Sequence, residues 1–310
     1  MRRLTVISII AMAAMLIACG HRAFKSGGSS DSIAVGNEAA VDGSAPAFDV
    51  DSVGRVVEDS MASVDISVDW PAGEQGALAD SVRHYISGQL AIMPFDEEKL
   101  KVRIYDDGET AVRNAAAIHH DAMTAMWKSM LDDGWPGGMP FNYYLRVEKE
   151  YETERYVTYT STSEGYSGGA HGFAKSTGIT FRKSDGKRIG YSADYDTEKE
   201  RYVIKNQTLF ADASAKGLAA LIKEGVKSYF GNFDVPVTND AQLKELLIGI
   251  DNVNRIPLPA NPPYFTKDGL SFTYQQYEIA AYAVGLVGFT VPYDKVRQFL
   301  TKDAQEMIAE

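Results

Sequence analysis

Tyr166-Ser167-Gly168-Gly169-Ala170-His171-Gly172 sets a lone histidine at the tip of a glycine-rich run. An imidazole titrates near neutral pH, so His171 could serve as a base, an acid or a hydrogen-bond donor. Clustered glycines let the backbone reach positive φ or approach a ligand closely. Ser167 beside the histidine invites a Ser-His pairing, but no third partner is marked and the strand-turn-helix elbow of a hydrolase serine is absent. Consecutive glycines also build bulges and tight hairpins, so a structural turn stands beside the binding loop as a reading. A second cluster, Tyr277-Glu278, lies in the aromatic stretch from Asp268 to Tyr293. Glu278 is a carboxylate that could join His171 in a hydrolase. Tyr166, Gly168, Gly169, His171, Tyr277 and Glu278 are therefore the candidate ligand-binding residues. His119 and His120 are adjacent, and neighbours on a helix point about a hundred degrees apart, so the two cannot share one metal as an i,i+4 pair would. No catalytic residue, cofactor site or metal site is assigned from the sequence.

The start of the chain reads as an address. Arg2-Arg3 precede an apolar run from Leu4 to Ile17 that is short for a membrane span, and Leu16-Ile17-Ala18-Cys19 has the form of a lipobox. This resembles a bacterial lipoprotein signal, which implies cleavage before Cys19 and lipid attachment there. Cys19 is the only cysteine in the 310 residues, leaving none for a disulfide or a catalytic thiol. Gly20, and not Asp, follows it, which points to the outer membrane. The expected location is the cell envelope, facing the periplasm or the cell surface. From Cys19 to about Ser60 the chain is rich in Gly, Ser, Ala and Asp, a composition expected to give a flexible tether. The formal net charge of −11 disfavours nucleic acid and suits solubility or a basic partner.

The folded part is expected from Ser63. Val64, Ile66, Val68 and Trp70 alternate as one face of a strand stopped by Pro71, and Leu78, Val82, Ile86 and Leu90 form a helical stripe with His84 off it. A longer helix is expected from Thr110 to Leu131. After the breaker run Gly134 to Pro140 the period becomes two: Phe141 to Val147 and Arg155 to Ser163 read as a hairpin. Phe173 to Phe181 and Lys187 to Tyr191 read as another, across an Asp185-Gly186 type I′ turn. Strands joined by tight turns imply an antiparallel sheet. Asp212 to Phe230 and Asp240 to Leu247 read as helices. Phe272 to Ile279 is expected to be a strand, Phe289 to Pro292 another, and Tyr293 to Ile308 a closing amphipathic helix. The resulting fold class is α+β, antiparallel hairpins packed against several amphipathic helices. The expected organisation is a signal peptide at 1–18, a tether at 19–60, an N-terminal α+β domain at 61–192 carrying the GGAHG loop, and a C-terminal one at 193–310 carrying the YEIA strand. The two domains are allowed to pack as one unit.

Tyr277-Glu278-Ile279-Ala280-Ala281-Tyr282-Ala283-Val284-Gly285, after Lys267-Asp268-Gly269-Leu270 and before Val291-Pro292-Tyr293, resembles the YEIAPYAAG hallmark of a secreted bacterial domain family of unknown function. Tyr166 to Gly172 is similar to the GGAHG hallmark of the domain that usually precedes it. The family includes the extracytoplasmic part of RsiV-type anti-sigma factors and the N-terminal part of PdaC-type peptidoglycan deacetylases. Ala281 departs from the usual Pro, and Val284 from the frequent Ala. RsiV-type proteins bind lysozyme through this region but carry a sigma-binding segment and a membrane span, where this chain has a lipoprotein signal. PdaC-type proteins keep deacetylation in a separate domain. The resemblance therefore implies a binding module, with a lysozyme-like protein or a cell-wall glycan as partner, and implies neither an anti-sigma role nor catalysis.

Overall fold

Alternation of apolar and polar residues sets the first pairings. The computed structural model describes residues 47–73, 76–93, 102–198, 201–232 and 237–309. The signal segment 1–18, Cys19 and the tether as far as residue 46 lie outside the described residues. Within the expected tether, however, Val50–Glu58 is a strand, β1, paired antiparallel to β2 (Ala62–Pro71). Four of its nine residues are valine, and Val50, Val53 and Val57 pack at the edge of the core.

The polypeptide then crosses the sheet in two helices. Helix α1 (Ala77–Leu90) and helix α2 (Gly108–Asp132) bury Val82, Ile86, Val112, Ala116, Met123 and Trp127 against the sheet face formed by Val64, Ile66 and Val68. Asp107 caps α2 by accepting from the Thr110 amide at 2.7 Å, which satisfies one of the free N–H groups of the first turn. This long connection lets the next strand, β3 (Phe141–Glu152), run parallel to β2, with Ala62 opposite Phe141 and Val68 opposite Val147. The all-antiparallel expectation fails at that one pair, because a crossover of helices can return the chain in the same direction where a tight turn cannot. The remaining pairs are antiparallel: β3 with β4 (Tyr156–Tyr166), β4 with β5 (Phe173–Arg182), and β5 with the two-residue β6 (Arg188–Ile189). The turn between β5 and β6 is not the expected type I′. Its connection is longer, closed by the Gly186 amide on Arg182 O, and Gly186 but not Asp185 has positive φ.

A short ribbon, β7 (Ser192–Asp196) with β8 (Arg201–Lys205), leads to helix α3 (Lys216–Phe230), which starts four residues later than expected. Helix α4 (Asp240–Leu246) is capped by Asn239. Three strands follow, β9 (Tyr264–Phe265), β10 (Leu270–Tyr274) and β11 (Val287–Val291), in the order β11-β10-β9. The closing helix is broken into α5 (Tyr293–Val296), a 3₁₀ turn at Arg297–Phe299 and α6 (Lys302–Met307). The break has a cause: Leu300 forms an antiparallel bridge to Phe210, and Thr301 turns outward to cap α6 through the Ala304 amide.

Two apolar clusters result. One lies between the large sheet and α1 and α2; the other gathers α3, β10, β11 and the C-terminal turns around Phe272, Tyr274, Leu218 and Val226. They belong to one compact unit, Ser44–Glu310. The joint is a buried polar contact in which Thr158 Oγ1 and Thr180 Oγ1 lie 2.9 Å apart, and Thr180 Oγ1 also accepts from the Phe265 amide at 3.0 Å. Tyr264 lies with its ring on Gly178, where a Cβ would fall 2.1 Å from ring carbon. That close approach seats β9 on β5 and so fixes how the C-terminal strands meet the large sheet.

Candidate functional site

The two hallmark segments, about a hundred residues apart in sequence, meet at the end of β5. Beyond Thr180 the outer edge of β5 has no strand partner among the described residues, since β6 pairs only with Thr180 and Phe181. Two glutamine side chains take the place of a strand there. Gln276 Oε1 accepts from the Ala174 amide at 2.9 Å, while Gln275 Oε1 accepts from the Ser176 amide at 3.2 Å and its Nε2 donates to Ser176 O at 2.7 Å. This pairing clamps the turn after β10 to the strand that leaves the GGAHG loop.

On the loop side, Gly168 and Gly169 have φ of +93° and +82°, a consecutive left-handed pair that side chains rarely adopt. Tyr166 Oη donates to Gly169 O at 3.2 Å and holds the loop against its own strand. The tip projects His171 into solvent. Its Nδ1 lies 2.8 Å from Gly172 O, so in the neutral ring Nδ1–H donates and Nε2 remains an acceptor, 3.4 Å from Tyr277 Oη. The hydrogen bonds of His171 thus go to Gly172 and Tyr277, and Ser167 is not among its partners.

On the other side, the expected strand from Phe272 to Ile279 ends at Tyr274, and Tyr277-Glu278 form a turn. Glu278 is the reason. Its carboxylate accepts from the Gln275 amide at 2.8 Å and from the Ala260 amide at 2.6 Å, folding the chain back on itself and tying it to the proline-rich segment. Burial raises the Glu278 pKa, outweighing the lowering by these two amides. Tyr277 is left with φ of +65° and 59% exposure, a conformation that costs a non-glycine residue free energy. Tyr282, which the sequence reading did not single out, completes the group. Its ring stacks on His171 at 3.7 Å between centroids and 21° between planes, and the Tyr277 ring lies 5.8 Å from it.

The site is a shallow groove of about 350 Å³ lined by His171, Phe173, Gln275, Gln276, Tyr277 and Tyr282. The structure therefore brings His171 and Tyr277 together and gives Tyr166, Gly168 and Gly169 a supporting role. It places Glu278 in the turn's backbone instead of in the groove lining. The sequence signals that were missed are the glutamine pair before YEIA and the tyrosine five residues after Tyr277. His119, by contrast, is a core residue: it is buried, its ring packs 5.1 Å from that of Tyr143, and its Nε2–H donates to Leu90 O at 2.9 Å. His120 Nε2 lies 3.6 Å from Asp59 Oδ2. Among the described residues no group of three His, Cys, Asp or Glu side chains is arranged to hold a metal ion.

The segment that supplies Gln275, Gln276, Tyr277 and Tyr282 falls inside a stretch with a known family signature, residues 207–294. A DUF3298 domain, described as a protein of unknown function, is present there. The DUF3298 segment holds β9, β10, β11 and the YEIA turn, while His171 lies outside it. A crystal structure of a DUF3298 family member from Bacteroides fragilis aligns over 86% of this chain and 99% of its own, with a TM-score of 0.60 and 16% identity. The shared fold thus extends beyond the DUF3298 segment. A DUF3298 family protein from Pseudomonas aeruginosa aligns over 84% of this chain and 97% of its own, with a TM-score of 0.49 and 13% identity. No curated protein matches the chain.

Replacing Tyr277 with glycine separates strain from recognition. Removing the left-handed side chain is expected to leave stability unchanged or to raise it by up to about 1 kcal/mol, relief of strain being offset by glycine's greater freedom when unfolded. Urea unfolding checks this, and a clear loss of stability would mean that the ring is held for packing.

Proposed function

We propose that this chain is a lipid-anchored protein of the bacterial cell envelope, attached through Cys19, whose groove at His171, Tyr277 and Tyr282 binds a cell-wall glycan without transforming it. The observation that carries this reading is the stacked His171–Tyr282 pair with the exposed, left-handed Tyr277 beside it. Such faces suit the C–H surfaces of a sugar ring, while Nε2 of His171 and the tyrosine hydroxyls offer hydrogen bonds to its hydroxyl groups. The groove is open and shallow, which suits one or two residues of a chain that continues beyond it. Binding is preferred to hydrolysis because both oxygens of Glu278, the carboxylate that the alternative hydrolase reading pairs with His171, are occupied by backbone amides.

A second reading, a lysozyme-like basic protein as ligand, is favoured by the net charge of −11 and by the resemblance to RsiV-type proteins. Calorimetry of the full chain with soluble peptidoglycan fragments and with lysozyme, at low salt, separates the readings. Saturable heat with the glycan is expected. Heat with lysozyme alone would move the assignment to the protein ligand, and heat with neither would end both.

A further inference from the structure

The first strand of the large sheet presents an edge that fits a second copy of itself. Strand β1 is terminal in the sheet order, and among the described residues nothing hydrogen-bonds to its outer backbone edge. The edge is nine residues long. Proteins commonly blunt such an edge with proline, lysine, a bulge or a covering segment, because an open row of N–H and C=O groups recruits another strand. β1 itself carries no proline, lysine or bulge: its register against β2 runs without interruption from Val50 opposite Pro71 to Glu58 opposite Ser63, and Val56 is 52% exposed.

The sequence of this edge is complementary to itself when reversed. An antiparallel pair centred on Val53 sets Val53 opposite Val53, Ser52 opposite Gly54, Asp51 opposite Arg55 twice, and Val50 opposite Val56 twice. Every directly opposed pair from Val50 to Val56 is then apolar with apolar, acid with base, or small with small, which are the combinations that stabilise neighbouring strands; Val57 and Glu58 at the strand's end fall opposite Asp49 and Phe48. Shifting the centre by one residue to Gly54 sets Asp51 opposite Val57 and Arg55 opposite Val53, and both ion pairs are lost. Asp51 and Arg55 are exposed and make no ion pair among the described residues, so both are available. In β1 the odd-numbered residues share the sheet face of Ile66 and Val68, so the Asp51–Arg55 contacts would form on one side of the joined sheet and the Val50–Val56 contacts on the other.

We propose that two copies of this chain associate through β1, in antiparallel register about Val53, to make one continuous twelve-stranded sheet with two-fold symmetry. The contact is isologous, as a two-fold interface requires, so it closes at the dimer and does not propagate into a fibre.

The single native cysteine makes the register directly measurable. In the full chain carrying Cys19→Ser, solubilised in detergent, Val53→Cys would bring two thiols opposite one another, whereas Glu58→Cys would place them roughly 30 Å apart at the strand rise of about 3.3 Å per residue. Mild oxidation is expected to give a covalent dimer for the first and none for the second. By sedimentation, Asp51→Arg should weaken self-association about tenfold by turning two attractive pairs into repulsive ones, and adding Arg55→Asp should restore it. A chain that sediments as a monomer, equal cross-linking at both positions, or a dimer indifferent to Asp51→Arg would each overturn the proposal. A poorly folded single variant leaves the test intact, because the cysteine pair and the double charge swap read the same register independently.

Discussion

Glu278→Ala is expected to destabilise the protein by about 2–4 kcal/mol, the sum of leaving two partly buried backbone N–H groups without an acceptor. The amides are those of Ala260 and Gln275, and the carboxylate of Glu278 is what holds them. Urea unfolding of the variant measures the loss. Glu278→Gln keeps one acceptor oxygen and should lose roughly half as much. The same residue predicts a pH dependence. Burial raises the folded-state pKa of Glu278 above its unfolded value, so the folded protein holds that proton more tightly. The stability this contributes is fully present below the unfolded pKa and is lost as pH rises through the folded one. The stability advantage of the wild type over Glu278→Gln should therefore shrink as pH rises across that window. A difference that is flat with pH, or a small cost for Glu278→Ala, would mean that the turn is held by other contacts.

The second large effect is expected at Gly178. A Cβ there would sit 2.1–2.5 Å from three atoms of the Tyr264 ring, so Gly178→Ala must push β9 off β5 or displace the ring. Overpacking of this kind costs about 1–3 kcal/mol, and the upper end is expected because the contact is with a ring whose neighbour, Phe265, is fully packed. Thr180→Val tests the same joint by a different route. It removes the acceptor of the buried Phe265 amide and the partner of Thr158, at a cost of about 1–3 kcal/mol. Both variants should also loosen the groove, since the joint fixes how the YEIA turn meets β5. Thermal unfolding that leaves both variants at the wild-type midpoint would show that the two clusters are joined elsewhere.

Periodicity made most elements legible. The stripe of Leu78, Val82, Ile86 and Leu90 marks α1, and the alternation of Phe141, Tyr143, Leu145 and Val147 marks β3. The α+β class follows from those patterns and holds in the structure. What periodicity does not carry is direction and partnership. The parallel pairing of β2 with β3 depends on where two helices return the chain, which no local pattern records. β1 is hard to see in the sequence because its four valines are interspersed with Asp, Ser, Gly, Arg and Glu without a clean alternation, and it is held only by the strand beside it.

The site was legible in part. Both hallmark segments were visible as glycine and tyrosine clusters, but their junction rests on Gln275 and Gln276 acting as a strand for β5, a use of amide side chains that looks in sequence like ordinary surface polarity. Strand alternation carried on from Phe272 to Ile279 presents Glu278 as a side chain free to meet a ligand. Its bonds to two amides show instead that a short acid can end a strand when it reaches back three residues. Tyr282 escaped notice because only the folded turn brings it over His171.

Co-sedimentation of the full chain with purified peptidoglycan sacculi, wild type against Tyr282→Ala, tests the groove most directly. The wild type is expected to bind saturably, and loss of the stacked ring should reduce affinity at least about tenfold, as for a central aromatic contact in an interface. Wild-type protein that stays in solution, or a Tyr282→Ala variant that sediments as well as the wild type, would contradict the assignment of the His171, Tyr277 and Tyr282 groove as the glycan site.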